Sequence, residues 1–189
     1  MRSLTRVFER IDPAVERLFR WDERMVEFLS EQPFLRRLSP LFLTATILGD
    51  GYIWGVLGLG LIMFGRPVDR MNVLIGLAVS IVNVMMFRFL KLVFSRERPI
   101  PVEYTLRSRV IDTYSFPSGH ATTSFGLAWV VVTSYPHPLV GLGVYLVAAL
   151  ISFSRVFVRE HYPLDVLFGA VLGSLIAAYF DPLFRWLTF

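Results

Sequence analysis

Five apolar runs, long enough or nearly so to cross a bilayer, divide the chain: 41–64, 71–94, 120–135, 138–154 and 164–180. Crossing ~30 Å of hydrocarbon takes about 20 residues of helix, so the third and fourth runs are short and must borrow interfacial residues or be shielded by their neighbours. In lipid each run must be helical, because a backbone group without an internal partner finds no water there. The connections are 65–70, 95–119, 135–138 and 155–163, with a tail from Asp181.

Residues 1–40 follow another pattern. Ile11, Val15, Leu18, Phe19, Met25, Phe28 and Leu29 recur at roughly helical spacing among Arg and Glu, and Asp12-Pro13 makes a good helix start. This segment is expected to lie on a membrane surface rather than cross it. Arg6, Glu9, Arg10 and Asp12 interrupt any apolar stretch that a signal peptide would need. The fold class predicted is an all-α integral membrane protein: five transmembrane helices in 41–189, preceded by an amphipathic interfacial helix in 1–40.

Composition strengthens this reading. Of 189 residues 54% are hydrophobic; counting Gly in place of Tyr gives about 57%, against roughly 45–50% for a soluble domain. With no Cys, disulfides, thiolate metal sites and cysteine nucleophiles are excluded together. The net charge of +4 is less informative than its placement: residues 1–40 hold 15 of the 34 charged side chains, so the body is nearly uncharged. The cations are almost all Arg and lack aromatic interleaving on a polar face, which counts against nucleic acid. Gly51/Gly55 and Gly169/Gly173 have the spacing that lets membrane helices approach closely.

Because ionisable groups beside membrane spans are costly and mark function, the few in the body are informative. The only lysine, Lys91, ends the second run; Arg98-Pro99 follows; Pro117-Ser118-Gly119-His120 opens the third run; Ser154-Arg155 ends the fourth; His161 and Asp165 precede and open the fifth. If five helices alternate in direction, these residues share one membrane face. Three cations, two imidazoles and one carboxylate suit a phosphate dianion, Arg as a planar fork and Lys as a point charge.

The local chemistry agrees. Ser118 and the Gly119 amide at a helix start can face an anion, aided by the positive end of the helix dipole. Asp165 is one helical turn from His161, so its carboxylate can fix the imidazole tautomer and leave the other nitrogen free to attack. His120 is then placed to protonate the leaving oxygen.

These residues resemble the type 2 phosphatidic acid phosphatase (PAP2) superfamily, which also includes bacterial acid phosphatases and vanadium haloperoxidases. Its signature, Lys-x6-Arg-Pro, Pro-Ser-Gly-His and Ser-Arg-x5-His-x3-Asp, is matched by Lys91 to Pro99, Pro117 to His120 and Ser154 to Asp165, in order and with the right spacing. The resemblance implies that Lys91, Arg98 and Arg155 bind phosphate with Ser118 and Gly119, that His161 forms a phosphohistidine with Asp165 as its partner, and that His120 is the acid and later the base. It implies no metal and no other cofactor; the spans, and not the motifs that soluble members share, point to the membrane branch and so to a membrane lipid substrate. Arg159-Glu160 stands where small residues are common in the family.

Several residues keep two readings. Arg96, Arg159 and Glu160 are candidate head-group contacts, with an interfacial ion pair as the alternative for the last two. Asp50 is a structural feature or reaches the site; Arg88 aids phosphate binding or snorkels to the interface; His137 is a solvated turn residue; Arg107 and Arg109 hold a second anionic group or face lipid head groups. For His161 and Asp165 the alternatives to catalysis are an interfacial hydrogen-bonded pair and a metal site. Counting Lys and Arg near the spans puts the motif face in the cytoplasm, although several of those cations belong to phosphate binding. The cell membrane is the expected location. Rival functions are vanadate-dependent halide oxidation and, from another class, a lipid or ion transporter using the intramembrane charges.

Overall fold

A computed structural model of the chain describes residues 13–99 and 113–188. Among them are eight helices, α1 (Pro13–Glu31), α2 (Pro33–Arg37), α3 (Ser39–Leu48), α4 (Tyr52–Phe64), α5 (Pro67–Phe94), α6 (Gly119–Ser134), α7 (Pro138–Phe157) and α8 (Pro163–Thr188), and no strand. Ile11, Arg107 and Arg109 lie outside the described residues. Proline stands in the first turn of α2, α3, α5 and α7, where its missing N–H costs nothing and its fixed φ favours the helix.

Each of the five apolar runs folds as helix, but they are not five equal spans. α5, α7 and α8 are long and apolar enough to cross a membrane, and α3 with α4 makes a fourth if the pair, bent by 55°, counts as one broken span. The bend falls at Gly49-Asp50-Gly51, where Gly51 has φ +107 and precedes α4 as its N-cap. That left-handed conformation is open to glycine at little cost. α6 has 16 residues, about 24 Å at 1.5 Å per residue, short of the hydrocarbon thickness.

Shortness is tolerable in α6 because it is the central helix. It packs on α5, α7 and α8 and buries Ala121, Thr122, Ser124, Gly126, Ala128 and Val130. The α6–α8 contact depends on missing side chains: a Cβ on Gly173 would lie 1.9 Å from the Thr122 carbonyl oxygen, and one on Gly169 2.7 Å from that of Ser118. Gly51 and Gly55 have nothing within 4 Å of such a Cβ, so among the described residues that pair makes no close helix contact, and Gly51 serves the bend.

Helices also overrun the apolar runs. α5 begins at Pro67 because the Asp69 carboxylate accepts the Arg66 backbone N–H at 2.7 Å, closing a capping box. α8 passes through Pro182 to Thr188, with an Asp181–Arg185 ion pair of 2.9 Å one turn apart along this last stretch. Large apolar side chains such as Val56, Phe64, Leu92, Tyr179 and Trp186 are exposed on α4, α5 and α8. An apolar surface this extensive is what a lipid environment covers.

Candidate active site

The third motif is folded by the end of α7. The Arg155 carbonyl accepts the N–H groups of both Glu160 (3.0 Å) and His161 (3.2 Å), curling residues 158–162 back over the helix terminus. Arg159 takes φ +59 in this turn, a left-handed conformation unusual for a residue with a side chain and the physical reason that a small residue or glycine suits the position. The turn buries His161 to 1% exposure immediately before α8.

The second motif is tied to the same place. Ser118, the N-cap of α6, donates its backbone N–H to the Asp165 carbonyl in the first turn of α8 at 3.0 Å. A Cβ on Gly119 would stand 2.9 Å from the Phe87 ring, so glycine is what lets α6 start this close to α5. The Ser118 hydroxyl is fully buried with no hydrogen-bond partner among the described residues.

Lys91 arrives from the last turn of α5, buried, its Nζ donating to the Tyr114 carbonyl at 2.7 Å. Arg155 is buried and donates through Nη1 to the Thr46 hydroxyl of α3, a contact to a helix that the motifs do not include. The positive charges of Lys91, Arg98, Arg155 and His120 all act on His161. Burial first, then those charges, hold its proton affinity well below the ordinary imidazole value. Both effects favour the neutral ring, the form with a free lone pair. Its Nδ1 lies 3.7 Å from Asp165 Oδ2, longer than a hydrogen bond, and has no partner among the described residues.

Glu160 is placed differently from a head-group contact. Its Oε2 accepts from Arg98 Nη1 at 3.2 Å and also pairs with Arg155 Nη2. One carboxylate oxygen thus sits between two cations of the phosphate signature. Arg159 points away from them, its Nε donating to Ser30 Oγ (2.7 Å) and its Nη2 to Glu31 Oε1 (2.9 Å), an ion pair with the end of α1. Arg96, expected at a head group, is turned inward: Nη1 donates to Asp165 Oδ1 and Nη2 to Asp22 Oδ2, both at 2.7 Å. An extended stretch after α5 looks solvent-facing in sequence, whereas here two buried carboxylates draw the guanidinium in.

His120 occupies the other side. Its Nε2 is 2.7 Å from Asp50 Oδ1, so the Gly-Asp-Gly bend delivers a carboxylate to the second-motif histidine. Both line a cleft of about 770 Å³ between α4, α5 and α6. Beyond them the cleft is apolar, walled by residues such as Leu57, Leu61, Leu77, Phe87, Leu127 and Val131, and it reaches Tyr135 at the far end of α6.

Sequence reasoning missed Asp22 and Thr46, and left Asp50 open. Asp22 had a signal: it falls between Phe19 and Val26 at spacings of three and four, a carboxylate in the apolar stripe of α1. Arg88 is exposed on α5, and exposed His137 caps α7, its Nδ1 accepting the Leu139 N–H at 3.2 Å. Among the described residues no three His, Cys, Asp or Glu side chains are grouped to hold a metal ion.

The PAP2 superfamily model matches residues 70–188. An undecaprenyl-diphosphatase of Sulfolobus acidocaldarius is 34% identical over 145 residues, 74% of this chain and 68% of that protein. A lipid A 4'-phosphatase of Bacteroides thetaiotaomicron is 31% identical over 109 residues, 54% of this chain and 48% of the relative, about half its length. The crystal structure of a transmembrane PAP2-type phosphatidylglycerolphosphate phosphatase from Bacillus subtilis superposes with a TM-score of 0.68 at 23% identity, covering 93% of this chain and 88% of that one. At that identity the structural likeness speaks to the fold.

Proposed function

This chain belongs to the PAP2 superfamily, and we propose that it is a multi-pass membrane phosphatase that removes the terminal phosphate from a lipid phosphate or diphosphate. The observation that carries the reading is a buried imidazole under the positive charges of Lys91, Arg98 and Arg155, in the same site as a second histidine that faces an apolar cleft. The cleft holds the hydrocarbon chain and leaves the head group at the mouth by His120.

The phosphate dianion displaces Glu160 and takes the fork of Arg98 and Arg155 with the Lys91 charge, Ser118 Oγ and the Gly119 N–H. His161 attacks phosphorus through Nε2, forming a P–N bond as the bond to the leaving oxygen breaks. Approach of substrate closes the gap to Asp165, which stabilises the positive charge that develops on the ring. His120, held by Asp50, gives its proton to the leaving oxygen. The same imidazole then takes a proton from water, whose oxygen attacks phosphorus and frees His161.

In this reading all five apolar runs are membrane segments, α3 and α4 forming one broken segment and α6 a short, shielded one. α1 lies on the interface, and the basic motif face is cytoplasmic by the positive-inside rule. The names of the relatives suggest polyprenyl diphosphate first, since that similarity covers most of the chain, then phosphatidylglycerol phosphate and lipid A phosphate, and the family resemblance adds phosphatidic acid to the panel. Purified protein should release inorganic phosphate from at least one of these in EDTA and be inhibited by vanadate. Lipid or ion flux without phosphate release would replace the phosphatase reading with a transporter.

A further inference from the structure

Helix α1 lies outside the matched family region, which begins at residue 70, yet it sends one fully buried carboxylate into the protein. We propose that Asp22 of α1, acting through Arg96, is a positioning residue that holds the Asp165 carboxylate in the orientation that serves His161. The proposal rests on the phosphatase reading and extends it to a helix on which no motif lies.

The geometry forms a closed chain. Asp165 has two oxygens with two duties: Oδ1 accepts from Arg96 Nη1 at 2.7 Å, while Oδ2 accepts the Tyr162 N–H at 2.9 Å and faces His161 Nδ1. Rotation about the carboxylate's terminal torsion is soft, so the guanidinium on Oδ1 and the Tyr162 N–H on Oδ2 together set the plane in which the carboxylate faces the histidine. Arg96 lies on irregular backbone between α5 and α6, so its side chain must be fixed by contacts. Asp22 Oδ2 takes its Nη2 at 2.7 Å, the Tyr162 ring lies 3.8 Å from the guanidinium carbon, and the Phe19 ring lies 5.0 Å from it. Asp22 is fixed in turn: Oδ1 accepts the Leu164 N–H at 3.0 Å in the same first turn of α8 that carries Asp165. α1 and α8 therefore clamp one guanidinium between them.

Charge gives a second reason. A single carboxylate suffices to neutralise Arg96, and Asp165 already supplies it. Burying Asp22 as well has a desolvation cost that its cap on α8 only partly explains, since an uncharged asparagine caps about as well. The second carboxylate makes the guanidinium a bridge, which specifies geometry as a lone pair does not.

The experiment uses the full chain in detergent micelles, with phosphate release from the best lipid of the panel and quench measurement of the phosphoenzyme. Asp22→Asn, Arg96→Ala and their combination form a double-mutant cycle. The proposal expects Asp22→Asn to lower kcat by about 10–100-fold, as loss of an outer orienting partner does, with KM nearly unchanged and phosphoenzyme formation slowed in parallel. In the Arg96→Ala background the Asp22→Asn change should be silent, because its route to Asp165 is gone. Glu16→Gln, in an exposed pair on the same helix, should match wild type. If Asp22→Asn does not yield folded protein, Arg96→Lys serves, since a point charge cannot bridge both carboxylates; it too should lose kcat at constant KM. Wild-type kcat in Asp22→Asn or Arg96→Lys, a loss confined to KM, or full additivity with Arg96→Ala overturns the proposal. A wild-type protein that releases no phosphate from any lipid overturns the phosphatase reading itself, a distinguishable result.

Discussion

The two motif histidines sit in opposite environments. His161 is buried in a turn, walled by cations, and its approach to Asp165 is incomplete in this state. His120 is partly exposed at the start of α6, already hydrogen-bonded to Asp50, and opens on an apolar cleft. In the proposed mechanism these surroundings give the two imidazoles different work: the one buried among cations attacks phosphorus, and the one held by Asp50 at the mouth of the cleft serves the leaving group. In that mechanism environment, not residue type, divides nucleophile from acid.

Deleting each histidine should break the symmetry most sharply. His161→Ala should lower kcat by at least about 10³-fold, the scale of nucleophile removal, and abolish the phosphoenzyme. His120→Ala should cost about 10²–10⁴-fold, the range for a general acid. Its deficit should shrink for a substrate whose leaving group needs no proton, such as an aryl phosphate, whereas the His161→Ala deficit should not. Equal loss on both substrates for both variants would erase the division of labour.

Asp50→Asn is the next step down, about tenfold in kcat with KM held, since one charge-assisted hydrogen bond to the acid is weakened while the ring remains. On the acid side of the pH profile the sign is set by His161. Its lowered proton affinity keeps it competent below the ordinary imidazole value of about 6.5, so protonation of the free enzyme's nucleophile should affect kcat/KM only below that pH. Arg98→Ala removes one of the charges responsible and should move that acid limb upward.

Smallest is Glu160→Gln. In the proposed mechanism phosphate replaces its carboxylate between Arg98 and Arg155, so without that competitor KM or the vanadate inhibition constant should fall several-fold with kcat little changed. A weaker inhibition by vanadate would show that Glu160 organises the cations and does not compete with the substrate.

Much of this was legible before the fold. Lys91, Arg98, Ser118, Arg155, His161 and Asp165 stand at the ends of apolar runs, and alternating helices bring such ends together by topology alone. The unread parts share a physical cause: their partners are far apart in sequence and on segments with no fixed period. Arg96 to Asp22 spans 74 positions, Arg155 to Thr46 spans 109, and His120 to Asp50 spans 70; no local spacing encodes them. The bend in the first run was written in Gly49-Asp50-Gly51 but masked by the hydrophobicity on either side. The ends of α5 and α8 were misplaced because a capping box and a one-turn ion pair accompany helix beyond the apolar residues.

If His161, and no other residue, carries the phosphoryl group, protein mixed with lipid substrate and quenched in alkali, where phosphohistidine survives, should yield one phosphorylated peptide by mass spectrometry, with the phosphoryl group on His161. With an aryl phosphate, whose leaving group needs no proton, it should build up further in His120→Ala, and it should be absent in His161→Ala with either substrate. Phosphorylation at another residue, or turnover that persists in His161→Ala, would contradict the account.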